Sequence, residues 1–427
     1  MALEKTMRSV GEAIRRTMAG AMTLRERWRS GVGYNPLSIR TVQDPYPVYA
    51  ALRARSPVHR STLFNAWLFT RHADVDVILR DHRRFGSDPR KGRLSPRQRA
   101  LLPPADELPM LALDPPDHTR LRALVNKAFT QRAVSGLEPR IRAILSALLG
   151  DIADAAAFDL VQDVARPFPV MAIAEMLGVP AEDRGRFSVW SARRARMLEP
   201  TITPRERAAG VEAGKAFDAW FRPIIEQRAA APRADIVSAL VLAQDEGGRL
   251  TERETLNMLR LLVIAGNETT TNLIGNGMLA LLRNPDQLQR LRDDPGLIPA
   301  AVEELLRFDS PVQTDFRRVL ADCEVNGFPL RKRDNVALSL GAANRDPEVF
   351  EDPDRLDVGR GQGSHLSFGR GIHHCLGAAL ARLEGRIVFE MLLERFSRIS
   401  LLDERPRFRE GIVLRGLESL RVRCVRA

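Results

Sequence analysis

The sequence predicts a mainly α-helical protein with a minor β-sheet region, folded as a single domain. Three observations carry that prediction. Apolar residues recur at helical spacing through most of the 427 residues, while strand-like runs are few and short. One helical stretch near the middle is unusually long and has a start and a stop written into it. Finally, no Gly/Ser linker, low-complexity run or repeat divides the chain, although its length alone would allow two or three domains.

Taken in order, residues 1–34 read as a basic N-terminal extension, weakly amphipathic through Leu3, Met7, Val10, Ile14 and Met18. It is expected to be disordered or only loosely docked rather than a membrane-surface helix, with residues 35–427 forming the domain proper. Strand-like runs fall at Pro57-Val58-His59, Ala66 to Thr70, Asn335 to Leu340 and Leu420 to Arg423. The long helix begins at Thr251-Glu252-Arg253-Glu254, a capping-box pattern, and stops at Asn284-Pro285, roughly thirty residues or about 45 Å. At its middle sit Gly266 and the run Thr269-Thr270-Thr271, which cost up to about 1 kcal/mol each relative to alanine. A local violation of propensity marks this stretch as a functional site.

Composition narrows the class. Cys323, Cys375 and Cys424 are an odd, widely spaced set, which gives no disulfide framework and fits a reducing cytoplasm. No run of eighteen apolar residues exists, and Leu261 to Gly266 is cut off by Asn267 and Glu268, so no transmembrane anchor is expected. The net charge of +11 suits an anionic partner, but no nucleic-acid motif accompanies it and none is expected to bind.

The chemistry centres on Phe368-Gly369-Arg370-Gly371-Ile372-His373-His374-Cys375-Leu376-Gly377, followed by an Ala-rich helical stretch. A cysteine at a helix N-terminus is expected to have a lowered pKa and to be a good ligand for a soft metal. A covalently attached haem would need Cys-x-x-Cys-His, and zinc would want paired cysteines. The pattern F-G-x-G-x-H-x-C-x-G instead resembles the haem-binding loop of the cytochrome P450 family, and further matches run from about Asn35 to Val422.

The resemblance implies the family's fold as a single haem domain, with non-covalent haem b and Cys375 as its axial thiolate. Phe368 would shield the sulfur. Ala265-Gly266-Asn267-Glu268-Thr269 resembles the family's acid-alcohol pair, in which small residues leave room for oxygen, Thr269 positions water and Glu268 delivers protons. Four residues match the family's partners for the haem propionates: His118, Arg122, Arg317, with Arg318 adjacent, and His365. Glu304 and Arg307, tied to Arg355 in Asp352-Pro353-Asp354-Arg355, take a structural role.

The function implied is a class-I monooxygenase that uses O2 to hydroxylate or epoxidise a lipophilic small molecule of the terpenoid, steroid or fatty acid class. Nothing resembles a flavin or nicotinamide fold, so two electrons are expected from ferredoxin and ferredoxin reductase, docking on a basic face with Lys127, Arg132 and Arg370. The enzyme is expected to be monomeric. By resemblance the pocket draws on the loop before His118, the central helix, Pro311 to Phe316, and the turn at Ile412 and Val413. Gln313 and Thr314 would orient a polar group, and Lys91, Arg93 and Arg97 are a weaker candidate for a carboxylate anchor. Two other readings compete: a peroxide-driven oxygenase, which typically lacks the acid-alcohol pair, and a non-catalytic haem sensor or carrier.

Overall fold

The computed structural model describes residues 19–427 apart from 129–133, 153–156, 201, 234, 246–247 and 361–363. Its spine is the helix Glu252–Arg283, whose 32 residues span about 48 Å. Both ends fall where the sequence puts them. The Thr251 hydroxyl accepts the Glu254 N–H, the Glu254 carboxylate accepts the Thr251 N–H, and Pro285 opens the next helix. From Thr270 to Leu281 every residue is buried, so this half is a core helix with no exposed face.

Two apolar clusters grip the spine. Leu273, Ile274 and Met278 pack with Leu305, Ile387 and Phe389, and toward the other end Leu256, Leu259 and Val263 pack with Ile173, Phe217 and Phe221. Each such side chain stabilises the fold by roughly 1.5–3 kcal/mol. The larger sheet runs, in spatial order, Val58–Ser61, Ala66–Phe69, Asn335–Ser339, Thr314–Val319 and Phe85–Gly86. Its pairings are antiparallel except that between Ala66–Phe69 and Asn335–Ser339. A smaller sheet joins Phe396–Leu401, Arg421–Arg426 and Ala157–Asp159. All four expected strand runs fall in these sheets, with ends that agree to within three residues. Among the described residues, no helix is long and apolar enough to cross a membrane.

The N-terminal stretch differs from expectation where it is described. Residues 19–30 are helical, and Glu26, only 4 % exposed, clamps them to the body. Its carboxylate accepts the backbone N–H of Thr62 at 2.6 Å and of Tyr34 at 3.3 Å, and lies 3.2 Å from His59 Nε2. Burial would raise the Glu26 pKa, but His59 and the two N–H groups outweigh it and hold the carboxyl below its ordinary value. The pattern from Leu3 to Met18 lies outside the described residues.

A second buried charge fixes the segment that leads to the cysteine loop. Arg307 is bidentate to Glu304 at 2.7 and 2.8 Å and donates to the carbonyls of Asn344 and Pro353 at 2.9 Å. Glu304 also accepts the Asp357 N–H at 3.0 Å and Arg360 Nε at 3.2 Å. Arg355, expected as the charged third partner, contributes only its carbonyl, because its side chain is exposed. Arg360, five residues later, supplies the charge instead.

Glu384, on the helix Ala378–Arg395, is a buried acid that pairs with no cation among the described residues. It is 1 % exposed, Oε1 has no partner among the described residues, and burial pushes its pKa up to about 8 despite a hydrogen bond with Thr270. The unfolded carboxyl loses its proton above 4.5, whereas the folded one keeps it to about 8. Stability should therefore fall as pH rises through that window, by at most about 1.4 kcal/mol per pH unit.

Two outcomes follow. Arg307→Leu should cost about 3–5 kcal/mol, because it strands Glu304 in the core, and urea unfolding with an unchanged midpoint would show that the pair does not hold this segment. Glu384→Gln should flatten the fall in stability between about pH 5 and pH 8. A variant with the wild-type slope would mean that Glu384 ionises freely.

Candidate active site

The cysteine loop is shaped by two glycines in the left-handed region, Gly369 at φ +66° and Gly371 at φ +68°. Gly371 is also pressed against backbone: a Cβ there would stand 2.5 Å from the Leu79 carbonyl oxygen. The loop closes through the Cys375 N–H, which donates to the Phe368 carbonyl at 2.8 Å, and the helix Ala378–Arg395 starts three residues on. Burial raises the Cys375 thiol pKa. The Gly377 N–H, Arg122 and Arg382 pull toward thiolate, as the sequence leads one to expect, but burial outweighs them. Phe368 packs beside the sulfur loop on the cluster of Leu273 and Ile274, with the Arg382 guanidinium 4.4 Å from its ring.

Leu376 packs on the cluster containing Val263, and Phe368 on that containing Leu273, so the cysteine loop touches both clusters that grip the central helix. Cys375 is surrounded by enough protein to raise its pKa, yet it keeps open surface. In the middle of the central helix Ala265 is likewise open, although Ile264 and Asn267 beside it are buried. The small residues divide their work: Ala265 leaves its side of the helix open, while Gly266 admits Ile173, whose Cδ1 would stand 2.5 Å from a Cβ there.

His118 and Arg122 project from the helix Asp117–Ala128 one turn apart, as expected. His118 is 1 % exposed, neither ring nitrogen has a partner among the described residues, and its ring centre is 4.1 Å from that of His373. Burial, followed by the nearby Arg122, lowers the His118 pKa to about 4. For His373 burial again leads, with Arg317, His118 and Arg122 adding to it, and the value falls to about 2. Strand alternation turns the two neighbouring arginines to opposite faces. Arg317 acts on both histidines, whereas Arg318 faces away, with its Cδ against Gly92.

His365 does not join this group. Its Nε2 lies 3.1 Å from Glu303, and its Nδ1 accepts the Ser367 N–H at 3.3 Å. Arg382 is bidentate to the same carboxylate at 2.6 and 2.9 Å. Burial would raise the Glu303 pKa, but these partners bring it down to about 2. Both nitrogens of His365 are engaged, so His373 takes its place in the cluster. The spacing of His373, two residues before Cys375, was the signal available for it.

Glu268 and Thr269 are held by partners the sequence does not announce. Thr269 Oγ1 donates to the Ala265 carbonyl at 2.6 Å. Glu268 pairs with Arg409 at 2.7 Å, and Arg409 also donates to Asn272 Oδ1 at 2.7 Å. The turn carrying Arg409 is anchored by Glu199, 3 % exposed, whose carboxylate accepts the N–H groups of Ile412, Val413 and Leu414 at 2.8, 3.3 and 2.9 Å. Ile412 and Gln313 border a cavity of about 20 Å³ with Tyr34 and Tyr49, and Gln313 Nε2 donates to the Ser310 carbonyl at 2.8 Å. That leaves Val413, half-buried, and Thr314, whose buried hydroxyl has no partner among the described residues.

The peripheral cations are mostly engaged. Lys91 pairs with Asp114 at 2.8 Å and Arg93 with Asp334 at 3.3 Å, while the side chain of Arg97 lies outside the described residues. Lys127 donates to the Gln244 carbonyl at 2.6 Å and Arg370 lies 3.6 Å from Asp76. Arg132 also lies outside the described residues.

These residues fit a dianionic, thiolate-ligated group: His118, with both ring nitrogens unpartnered among the described residues, lies against His373, Arg122 and Arg317 act on both histidines, and Arg122 also acts on the open Cys375. Comparison with known proteins agrees. The family model described as Cytochrome P450 matches residues 296–417. The chain is 43 % identical over 387 residues to the Vitamin D(3) 25-hydroxylase of Pseudonocardia autotrophica, covering 89 % of this chain and 94 % of that protein. The solved structure of the Bacillus subtilis bacillaene polyketide synthase cytochrome P450 PksS superposes with a TM-score of 0.84 at 37 % identity, covering 91 % of this chain and 99 % of that one. CYP109E1 from Bacillus megaterium, solved in complex with testosterone, gives 0.80 at 34 % identity over 89 % of this chain and 99 % of that one. Identity at this level, over nearly the full length of each partner, shows that the chain belongs to the cytochrome P450 family and is a haem-thiolate monooxygenase of the bacterial type.

Proposed function

We propose that this monooxygenase oxidises a lipophilic substrate of the steroid or terpenoid class, with Cys375 as the haem ligand. The observation that carries the reading is that Cys375 and Ala265 keep open surface amid apolar packing, with one spare buried hydroxyl at Thr314. Such a lining gains affinity from apolar area and orients its ligand through few polar groups. The relatives support the class, since one is named for vitamin D(3) and another was solved with testosterone.

Haem, when bound, supplies activated oxygen for insertion into an unactivated C–H or C=C bond, with the second oxygen atom leaving as water. Cys375 would hold the metal, and His118, His373, Arg122 and Arg317 would meet the propionates, on which the depressed histidines regain protons. Phe368 screens the sulfur from solvent. Thr269, by turning its hydroxyl from the Ala265 carbonyl, holds a water at the site. Glu268, the residue before it, passes protons to it from the Arg409 side. Electrons come from an outside donor, and the net charge of +11 favours an acidic one such as a ferredoxin served by its reductase.

An absorption titration of the ferric protein tests the substrate class. Steroids should give a saturable low-to-high-spin shift, and a shift with fatty acids alone would overturn the assignment. Thr269→Ala should retain haem and substrate binding while yielding about tenfold less product per electron pair, the remainder appearing as hydrogen peroxide. Tight coupling in that variant would place the proton path elsewhere.

A further inference from the structure

The helix at residues 19–30 is turned inside out. Its inward stripe is Ala19, Met22, Thr23, Glu26 and Ser30, held by a carboxylate, while its two largest apolar side chains point away from the body. Leu24 is 60 % exposed and Trp28, one turn later, 90 %. The usual amphipathic logic would bury both. Glu26 makes the reversal stable, because its hydrogen bonds to Thr62, Tyr34 and His59 exist in only one rotation of the helix.

The charges around this stripe all have one sign. Arg25, Arg27 and Arg29 are exposed and form no ion pair among the described residues. Glu26 is the one acid between residues 19 and 43, and it is buried. The outward face therefore shows a tryptophan and a leucine among three arginines with no exposed carboxylate. Alongside, Thr23, Leu24 and Arg27 border a groove of about 300 Å³ whose far wall carries Ala51 and Arg55.

We propose that this face docks on an anionic lipid bilayer. Tryptophan and leucine enter the interfacial layer, arginines meet lipid phosphates, and their stems lie along the acyl boundary. A protein partner would need acidic groups and a matching pocket for Trp28, whereas a bilayer offers both to any exposed helix of this composition. The proposal concerns attachment and is independent of which substrate the enzyme takes.

Sedimentation of the haem-loaded full chain with vesicles tests it. Phosphatidylcholine containing phosphatidylglycerol should bind about tenfold or more tightly than phosphatidylcholine alone, and salt should weaken the binding. Leu24→Ser with Trp28→Ser, and separately Arg25→Gln, Arg27→Gln with Arg29→Gln, should each lose about tenfold or more of it. Their carbon monoxide difference spectra and thermal midpoints should match the wild type, since these side chains point outward. Equal binding to both lipids, no binding to either, or variants that bind like the wild type would overturn the proposal. So would a wild-type dimer that these substitutions dissociate, which would make a second copy the occupant.

Discussion

The structure depends on a charge placed where charge is expensive. Glu304 and Arg307 are both almost fully buried, and on desolvation grounds alone the pair gains little over an apolar pair of equal volume. Its value is positional. Arg307 spends its outer N–H groups on the carbonyls of Asn344 and Pro353, while Glu304 takes the Asp357 N–H and Arg360. An irregular stretch with no sheet or helix to satisfy its backbone thereby acquires fixed partners. That stretch delivers the chain to Leu366 and the cysteine loop, so the position of Cys375 is inherited from an ion pair on another element.

Features that depend on neighbours along the chain are legible in the residues themselves. The capping box at Thr251 and Glu254, the stop at Asn284-Pro285, the glycines at 369 and 371 and the strand runs all follow from local rules, and the cysteine loop carries the family resemblance. The pairing of His118 with Arg122 is likewise a matter of helical spacing. Contacts across the fold are not legible in this way. Nothing near His365 states that Glu303 and Arg382 will claim it, and Arg360 looks no more buried than Arg355 until the chain turns. Arg317 and Arg318 become distinguishable only once strand pairing assigns each a face. Glu199 and Arg409 have no signal at all, because their partners are backbone amides and a carboxylate on remote stretches of chain.

The site itself is a balance of burial against charge. Cys375, His118 and His373 are all pushed toward their neutral forms by the low-dielectric surroundings, while Arg122 and Arg317 keep positive charge beside them. A site of this kind has positive charge in excess and is completed by an anion. The central helix at Glu268 is arranged differently. There Glu268 keeps a cation of its own, Arg409, and is insulated from the histidine cluster by belonging to a separate ion pair.

The turn from Arg409 to Arg415 is held by three carboxylates from distant parts of the chain: Glu268 on Arg409, Glu199 on the amides at 412–414, and Asp309 on Arg415. The strand Arg421–Arg426 then pairs with Ala157–Asp159, from the first half of the sequence. Each of these partners is synthesised well before the residues it holds. On a ribosome, whose exit tunnel hides the newest stretch of chain, these carboxylates stay without their partners on the turn until the segment beyond Arg409 has emerged. Docking of this turn is thus among the last events of synthesis by construction, and it falls to carboxylates already presented by the earlier part of the chain.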